Sequence, residues 1–302
     1  MIKAVKKCIK QMFWSRYVIY QRDLQYNEVK DKIANDTLLQ GLSKNEQAFW
    51  FPRIADVLEA PDNQLIERDV NAGKIKDSYL IMHNGIKVLP LSYCNYPNLE
   101  ILIKNKGVHE PQEELVFAKV LEKISPGATM IELGSNWGFY SLWFKQKVKN
   151  ANCYLIEPDP IFMTSGKMNF TANNYKATFL EACVGASSYK MDDGGNMICV
   201  DDFVKTQNIK FVDMLHCDIQ GAELDMLRGA DSLIENKKVG YIFISTHSNE
   251  LHKSCLELLI KKGFLIVANA NLDETYSFDG LIVARAPYYP GLDKVAIALK
   301  HK

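Results

Sequence analysis

Between residues 128 and 285, short apolar runs alternate with amphipathic stretches, and this pattern most limits what the chain can become. The apolar runs predict strands at 128–133, 152–156, 178–184, 211–217, 239–245, 264–269 and 280–285. Helical patterns fall between them at 112–124, 137–148, 160–173, 221–236 and 250–262. Strands that alternate with helices predict an α/β fold with a mostly parallel sheet covered on both faces. Such sheets bind ligands beyond the carboxyl ends of their strands. The residues just after each apolar run are therefore the ones to question.

Ahead of this region, residues 1–110 read differently and form an expected smaller α+β accessory region, with the boundary near Pro111. Helical patterns occupy Asp31 to Leu39 and Asn45 to Leu58. A hairpin is expected over about 79–91, because Asn84-Gly85 sits between two β-rich runs and favours a tight turn. Residues 111–302 then make up the main domain. Residues 1–22 hold six basic residues, with no acidic one before Asp23. Ile2, Val5, Ile9, Met12 and Phe13 recur at helical spacing. Such a helix either packs its apolar stripe on the protein or lies on an anionic membrane surface.

Composition narrows the function classes. Thirty-six basic and 36 acidic residues give no net charge, which argues against nucleic acid as a partner. Seven cysteines without a C-x-x-C pair predict reduced thiols rather than a disulfide framework. No run reaches the ~18 apolar residues of a membrane span, and no signal peptide is visible. A cytoplasmic protein is expected, peripheral to the inner membrane face if residues 1–22 meet lipid.

Glu132-Leu133-Gly134-Ser135-Asn136-Trp137-Gly138 follows the first apolar run and opens onto a helical pattern. A strand, a bare glycine turn and a helix N-terminus together receive an anionic or polar ligand at close range. The dinucleotide pattern G-x-G-x-x-G is broken here, which weighs against a nicotinamide-dependent oxidoreductase. After the second run comes Glu157, about 20 residues past the turn, where a carboxylate can hold a ribose diol. Asp218 follows the fourth run, within reach of a ligand over the first. Glu223 opens the next helix, where the helix dipole alone also favours a carboxylate. His247 ends the fifth run and can accept a proton near neutral pH, which a hydroxyl nucleophile needs. His252 reads as structural, and the 247/252 spacing is a poor metal signature.

The stretch Asp213 to Ala230, with Asp213, His216, Asp218, Gln220, Gly221, Glu223, Gly229 and Ala230, resembles a signature of the FkbM family of S-adenosylmethionine-dependent methyltransferases. Glu110-Pro111, Glu157-Pro158-Asp159, Asp201-Asp202-Phe203 and Ser277-Phe278-Asp279-Gly280 are similar to other segments of that family. His216 stands where the family commonly has Lys, and Gln220 where it has Glu, departures that bear on the acceptor more than on the cofactor. The resemblance implies a seven-stranded Rossmann-like class I sheet with an antiparallel last strand. It also implies S-adenosylmethionine as cofactor, held by Glu132, Gly134, Ser135, Asn136 and Gly138, with Glu157 on the ribose and Asp218 beside the methionine end. Glu110 either closes the site from the N-terminal side or is a plain loop carboxylate. The implied reaction is O-methylation of a sugar or glycan hydroxyl, with a polyketide or other small metabolite as the alternative acceptor. His247 is the expected base, with Asp218 and Glu223 as rivals, and no metal is expected. A binding module that holds the cofactor without catalysis is the remaining alternative.

Overall fold

The computed structural model describes residues 2–300, with side chains from Lys10 onward. Helix α1 runs Ile2–Ala34 and α2 runs Lys44–Glu59. A small antiparallel sheet follows, made of β1 (Ile75–Lys76), β2 (Tyr79–Ile81) and β3 (Lys87–Val88). Next come α3 (Tyr96–Lys104), α4 (Pro111–Leu121), β4 (Thr129–Leu133) and α5 (Phe139–Lys147). Then follow β5 (Asn152–Ile156), α6 (Pro160–Ala172) and β6 (Thr178–Leu180). A second small sheet contains β7 (Cys183–Val184), β8 (Tyr189–Lys190) and β9 (Asn196–Ile198). The chain continues through α7 (Val200–Thr206), β10 (Val212–Cys217), α8 (Glu223–Arg228) and α9 (Asp231–Glu235). It closes with β11 (Val239–Thr246), α10 (Asn249–Lys261), β12 (Leu265–Ala270) and β13 (Gly280–Arg285).

The main sheet has seven strands in the order β12-β13-β11-β10-β4-β5-β6. Neighbours are parallel except around β13, which is antiparallel to both β11 and β12. This is the α/β arrangement expected, down to the antiparallel last strand. Every residue of β11 is buried, as helices on both faces require. One large apolar cluster joins Leu80, Met82, Ile86 and Leu99 from the N-terminal region to Phe117, Phe139 and Trp143. Residues on both sides of Pro111 therefore share one core.

The differences from expectation have local causes. The helical pattern at 31–39 is the end of α1, not a separate helix. The chain leaves it where Asp36 takes a positive φ, and the Asn35 side chain caps the Asp31 carbonyl at 2.8 Å. The run 178–184 divides, because only Thr178–Leu180 pairs with β5 while Cys183–Val184 joins β9. The pattern 221–236 divides at Gly229, whose Cβ position lies 2.4 Å from the Gly185 carbonyl oxygen. Helix α1 packs through Trp14, Val18 and Val29, whereas Met12 and Phe13 face outward. Ile2, Val5 and Ile9 of the expected stripe lie outside the described side chains. No helix among the described residues is long and apolar enough to cross a membrane.

Candidate active site

The carboxyl ends of β4, β5 and β10 open onto a cleft of about 840 Å³. Its floor forms where two strand ends nearly touch. A Cβ on Gly134 would sit 1.7 Å from the Asp218 carbonyl oxygen, and Gly134 adopts a φ of +70°. Only glycine satisfies both conditions. Asn136 also takes a positive φ, and Gly138 caps α5 in the left-handed conformation. The turn is thereby folded flat, with Gly134 and Asn136 facing the cleft.

Glu157 lies against this turn. Its Oε2 accepts from the Asn136 N–H and its Oε1 from the Asp159 N–H, both at 2.9 Å. These bonds fix the carboxylate in the cleft wall, while burial pushes its pKa up. The Asn136 Oδ1 is buried without a partner, an acceptor left open at the same wall. An acidic group, an orphaned amide oxygen and a glycine floor together fit a nucleoside and its attached tail.

Other expected residues stand behind the wall. Glu132 is buried, accepts from the Ser141 N–H at 3.1 Å, and braces the start of α5. Burial raises its carboxyl to about 7. Ser135 is buried too, its N–H donating to the Ile156 carbonyl and its carbonyl accepting from Gly138. Glu132, Ser135 and Gly138 thus shape the turn from beneath and do not line the cleft. His216 is likewise internal, 2.6 Å from Glu113, whose other oxygen accepts from Ser245. Gln220, by contrast, lines the cleft.

On the far side, His247 sits among three carboxylates. Its Nδ1 lies 2.8 Å from Glu223, and its Nε2 lies 3.3 Å from both Asp218 and Asp279. Burial disfavours its charge, but the contacts with Asp218 and Glu223 outweigh that and lift its pKa to about 10. Near neutral pH it is an imidazolium, with no free lone pair for a proton. Glu223 is fully buried and reaches only back to His247 and the Gly221 N–H. Asp218 and Asp279 face the cleft. Burial and the neighbouring Asp218 push Asp279 up to about 6. Glu110 also lines the cleft, accepts from the Tyr140 hydroxyl at 2.8 Å, and is raised by burial to about 7.

The N-terminal region supplies the rest of the wall. Phe49, Trp50 and Arg53 project from α2, and Tyr93, Cys94 and Asn98 come from the segment around the start of α3. Phe49 stacks on Phe278 at 4.7 Å between ring centres, and the Arg53 guanidinium lies 4.1 Å over the same ring. None of these α2 or α3 residues carries a pattern that ties it to the Gly134 floor, more than 35 residues away in sequence. Among the described residues, no group of three or more His, Cys, Asp or Glu is arranged to hold a metal ion.

Residues 195–266 match the family model described as "Methyltransferase FkbM domain". Over that segment the chain is similar to the FkbM methyltransferases. The matched span contains Asp218, Glu223 and His247, and it bears out the resemblance drawn from residues 213–230. That match and the Gly134–Glu157 wall both support S-adenosylmethionine as the cofactor. No curated protein matches the chain. Among solved structures it is similar to a precorrin-6y C5,15-methyltransferase from Geobacter metallireducens, at 15% identity and TM-score 0.39, covering 57% of this chain and 87% of that one. It is similar to the ribosomal protein L11 methylase of Lactobacillus delbrueckii at 15% identity and TM-score 0.40, covering 60% and 81%. For TrmK of M. capricolum in complex with S-adenosyl-homocysteine the values are 13%, 0.39, 58% and 69%.

Proposed function

We propose that this methyltransferase modifies a hydroxyl of a sugar or glycan. One observation carries the proposal: an aromatic wall (Phe49, Trp50, Phe278) stands directly beside cleft-facing carboxylates (Asp218, Asp279). A sugar ring offers an apolar C–H face and a rim of hydroxyls, and this wall presents a matching surface to each. S-adenosylmethionine supplies an electrophilic methyl group on a positively charged sulfur that leaves readily.

The chain's own residues have three tasks. Glu157 and the Gly134 turn would hold the nucleoside end of the cofactor. The aromatic wall orients the acceptor and displaces water, and such positioning supplies much of the rate. Asp279 takes the proton from the attacking hydroxyl, since it faces the cleft and its pKa of about 6 lies close to neutrality. His247, expected from sequence as the base, acts in this proposal as a fixed cation that holds Asp218 and Asp279 in register. Asp279→Asn tests the assignment. Turnover on a sugar acceptor should fall by ~10²–10⁴-fold, the usual worth of a general base, with cofactor affinity kept. An active Asp279→Asn enzyme would reject Asp279 as the base.

The N-terminal helix adds a membrane contact to the proposal. Phe13, Tyr17, Tyr20 and Leu24 lie on one helical face, and Phe13 and Tyr20 are each 61% exposed. Six basic residues precede the first acidic one at Asp23. An apolar face with a basic surplus complements an anionic lipid surface. Deletion of residues 1–22 should abolish sedimentation with anionic liposomes, and unchanged binding would reject the contact.

A further inference from the structure

Each cleft carboxylate has a hydrogen-bond or ion-pair partner, whereas among the described residues Arg53 has neither. Asp218 and Asp279 share His247, and Glu110 accepts from Tyr140. Arg53 is only 5% exposed, and its Nε and Nη1 are buried without a hydrogen-bond partner. The Phe278 ring lies beneath the charged group, 4.1 Å away, and the Asp279 carboxylate feels its charge without a hydrogen bond to it. A guanidinium keeps its charge at every working pH, and buried charged donors left unpaired are costly. Stacking holds the plane of the group but accepts none of its N–H bonds. The fork matches two oxygens of a carboxylate or phosphate better than any single hydroxyl.

The location excludes the ribose end of the cofactor. Arg53 packs on Phe278, just ahead of β13, while Glu157 follows β5. In the sheet order these strands are four spacings apart, about 19 Å at ~4.8 Å per spacing. Asp218 and the Gly134 turn lie between them. Arg53 therefore belongs to the half of the cleft that the acceptor enters.

We propose that Arg53 is the anion-binding residue of the acceptor subsite, so that the natural acceptor carries an oxyanion, a carboxylate or a phosphate, as well as the hydroxyl that is methylated. The proposal rests on the methyltransferase reading and narrows it to acidic or phosphorylated acceptors.

The test is calorimetry in two stages on the full chain. S-adenosyl-homocysteine is titrated first into wild type, Arg53→Gln and Arg53→Lys. Glucuronate, glucose 1-phosphate and neutral glucose are then titrated into each loaded protein. At least one anionic probe should bind wild type about tenfold or more tighter than glucose, as a charge-assisted fork predicts. Arg53→Gln should erase that preference, Arg53→Lys should keep part of it, and both should bind S-adenosyl-homocysteine as wild type does. Equal binding of glucose and both anions, no binding of either anion, or a preference that survives Arg53→Gln would overturn the proposal. A tenfold loss of S-adenosyl-homocysteine affinity in Arg53→Gln would overturn it as well, by assigning the residue to the cofactor's carboxylate. Wild type that fails to bind S-adenosyl-homocysteine would sink the methyltransferase reading itself, and the first stage alone reveals that.

Discussion

Gly134 has the narrowest tolerance of any residue in the cleft. Alanine there would place a methyl 1.7 Å from the Asp218 carbonyl in a backbone conformation that disfavours a side chain. Either β10 moves or the turn does, so Gly134→Ala should destabilise the fold by about 2–4 kcal/mol and weaken S-adenosyl-homocysteine binding at least tenfold. Chemical denaturation and calorimetry read the two effects separately. Glu157→Gln keeps the shape of the wall and removes the charge. A loss of about 1.5–3 kcal/mol of cofactor affinity is expected for hydrogen bonds to a charged group, with a smaller loss of stability because the amide can accept from only one of the Asn136 and Asp159 N–H groups. His247 makes a pH prediction. Its pKa of about 10 lies above the ordinary value of 6.5, so the protonated ring stabilises the folded state. That contribution is lost as pH rises from 6.5 through 10. The stability gap between wild type and His247→Gln, measured by urea unfolding, should therefore shrink across that window. A gap that widens would contradict the imidazolium assignment.

At the scale of elements, the strand-helix alternation was legible because buried parallel strands make continuous apolar runs whatever the loops do. The Gly134 turn and Glu157 were legible for a related reason. Both sit at fixed distances from strand ends, so sequence spacing reports spatial closeness. Arg53 and Phe49 had no such signal. They lie on α2, which packs on α3, and only this tertiary placement brings them to the cleft. The charge state of His247 was hidden as well, because Asp279 approaches from the bend just ahead of β13, more than 30 residues later. Helix α2 can be tested as a unit. Ser43 accepts from the Glu46 N–H, and Glu46 reaches back to the Ser43 N–H, a complete capping box. Ser43→Ala should cost about 1 kcal/mol, mostly by loosening this helix. Acceptor KM should rise while S-adenosyl-homocysteine affinity holds, because α2 carries acceptor-side residues and the nucleoside wall comes from the sheet. Equal losses on both sides would show that α2 does more than face the acceptor.

Over the whole molecule, the nucleoside half of the cleft belongs to the sheet and the acceptor half is completed by the N-terminal region. The outward face of α1 continues that region to the surface. Phe13→Asp combined with Tyr20→Asp removes apolar contact from this face without touching Trp14 or Val18, which pack inward. Vesicles with anionic lipid should lose the double variant, and added salt should weaken the wild-type interaction, since each basic side chain at such a surface is worth ~1 kcal/mol and is screened. Salt-insensitive binding would contradict an electrostatic contact. The central claim concerns the floor of the cleft, where the Gly134 turn, Asn136 and Glu157 meet. Its most direct test is calorimetric titration of S-adenosylmethionine and of NAD into the purified chain. One S-adenosylmethionine bound per chain, displaced by S-adenosyl-homocysteine and weakened by Glu157→Gln, with no heat from NAD, is the predicted result. Binding of NAD, or no binding of S-adenosylmethionine, would contradict it.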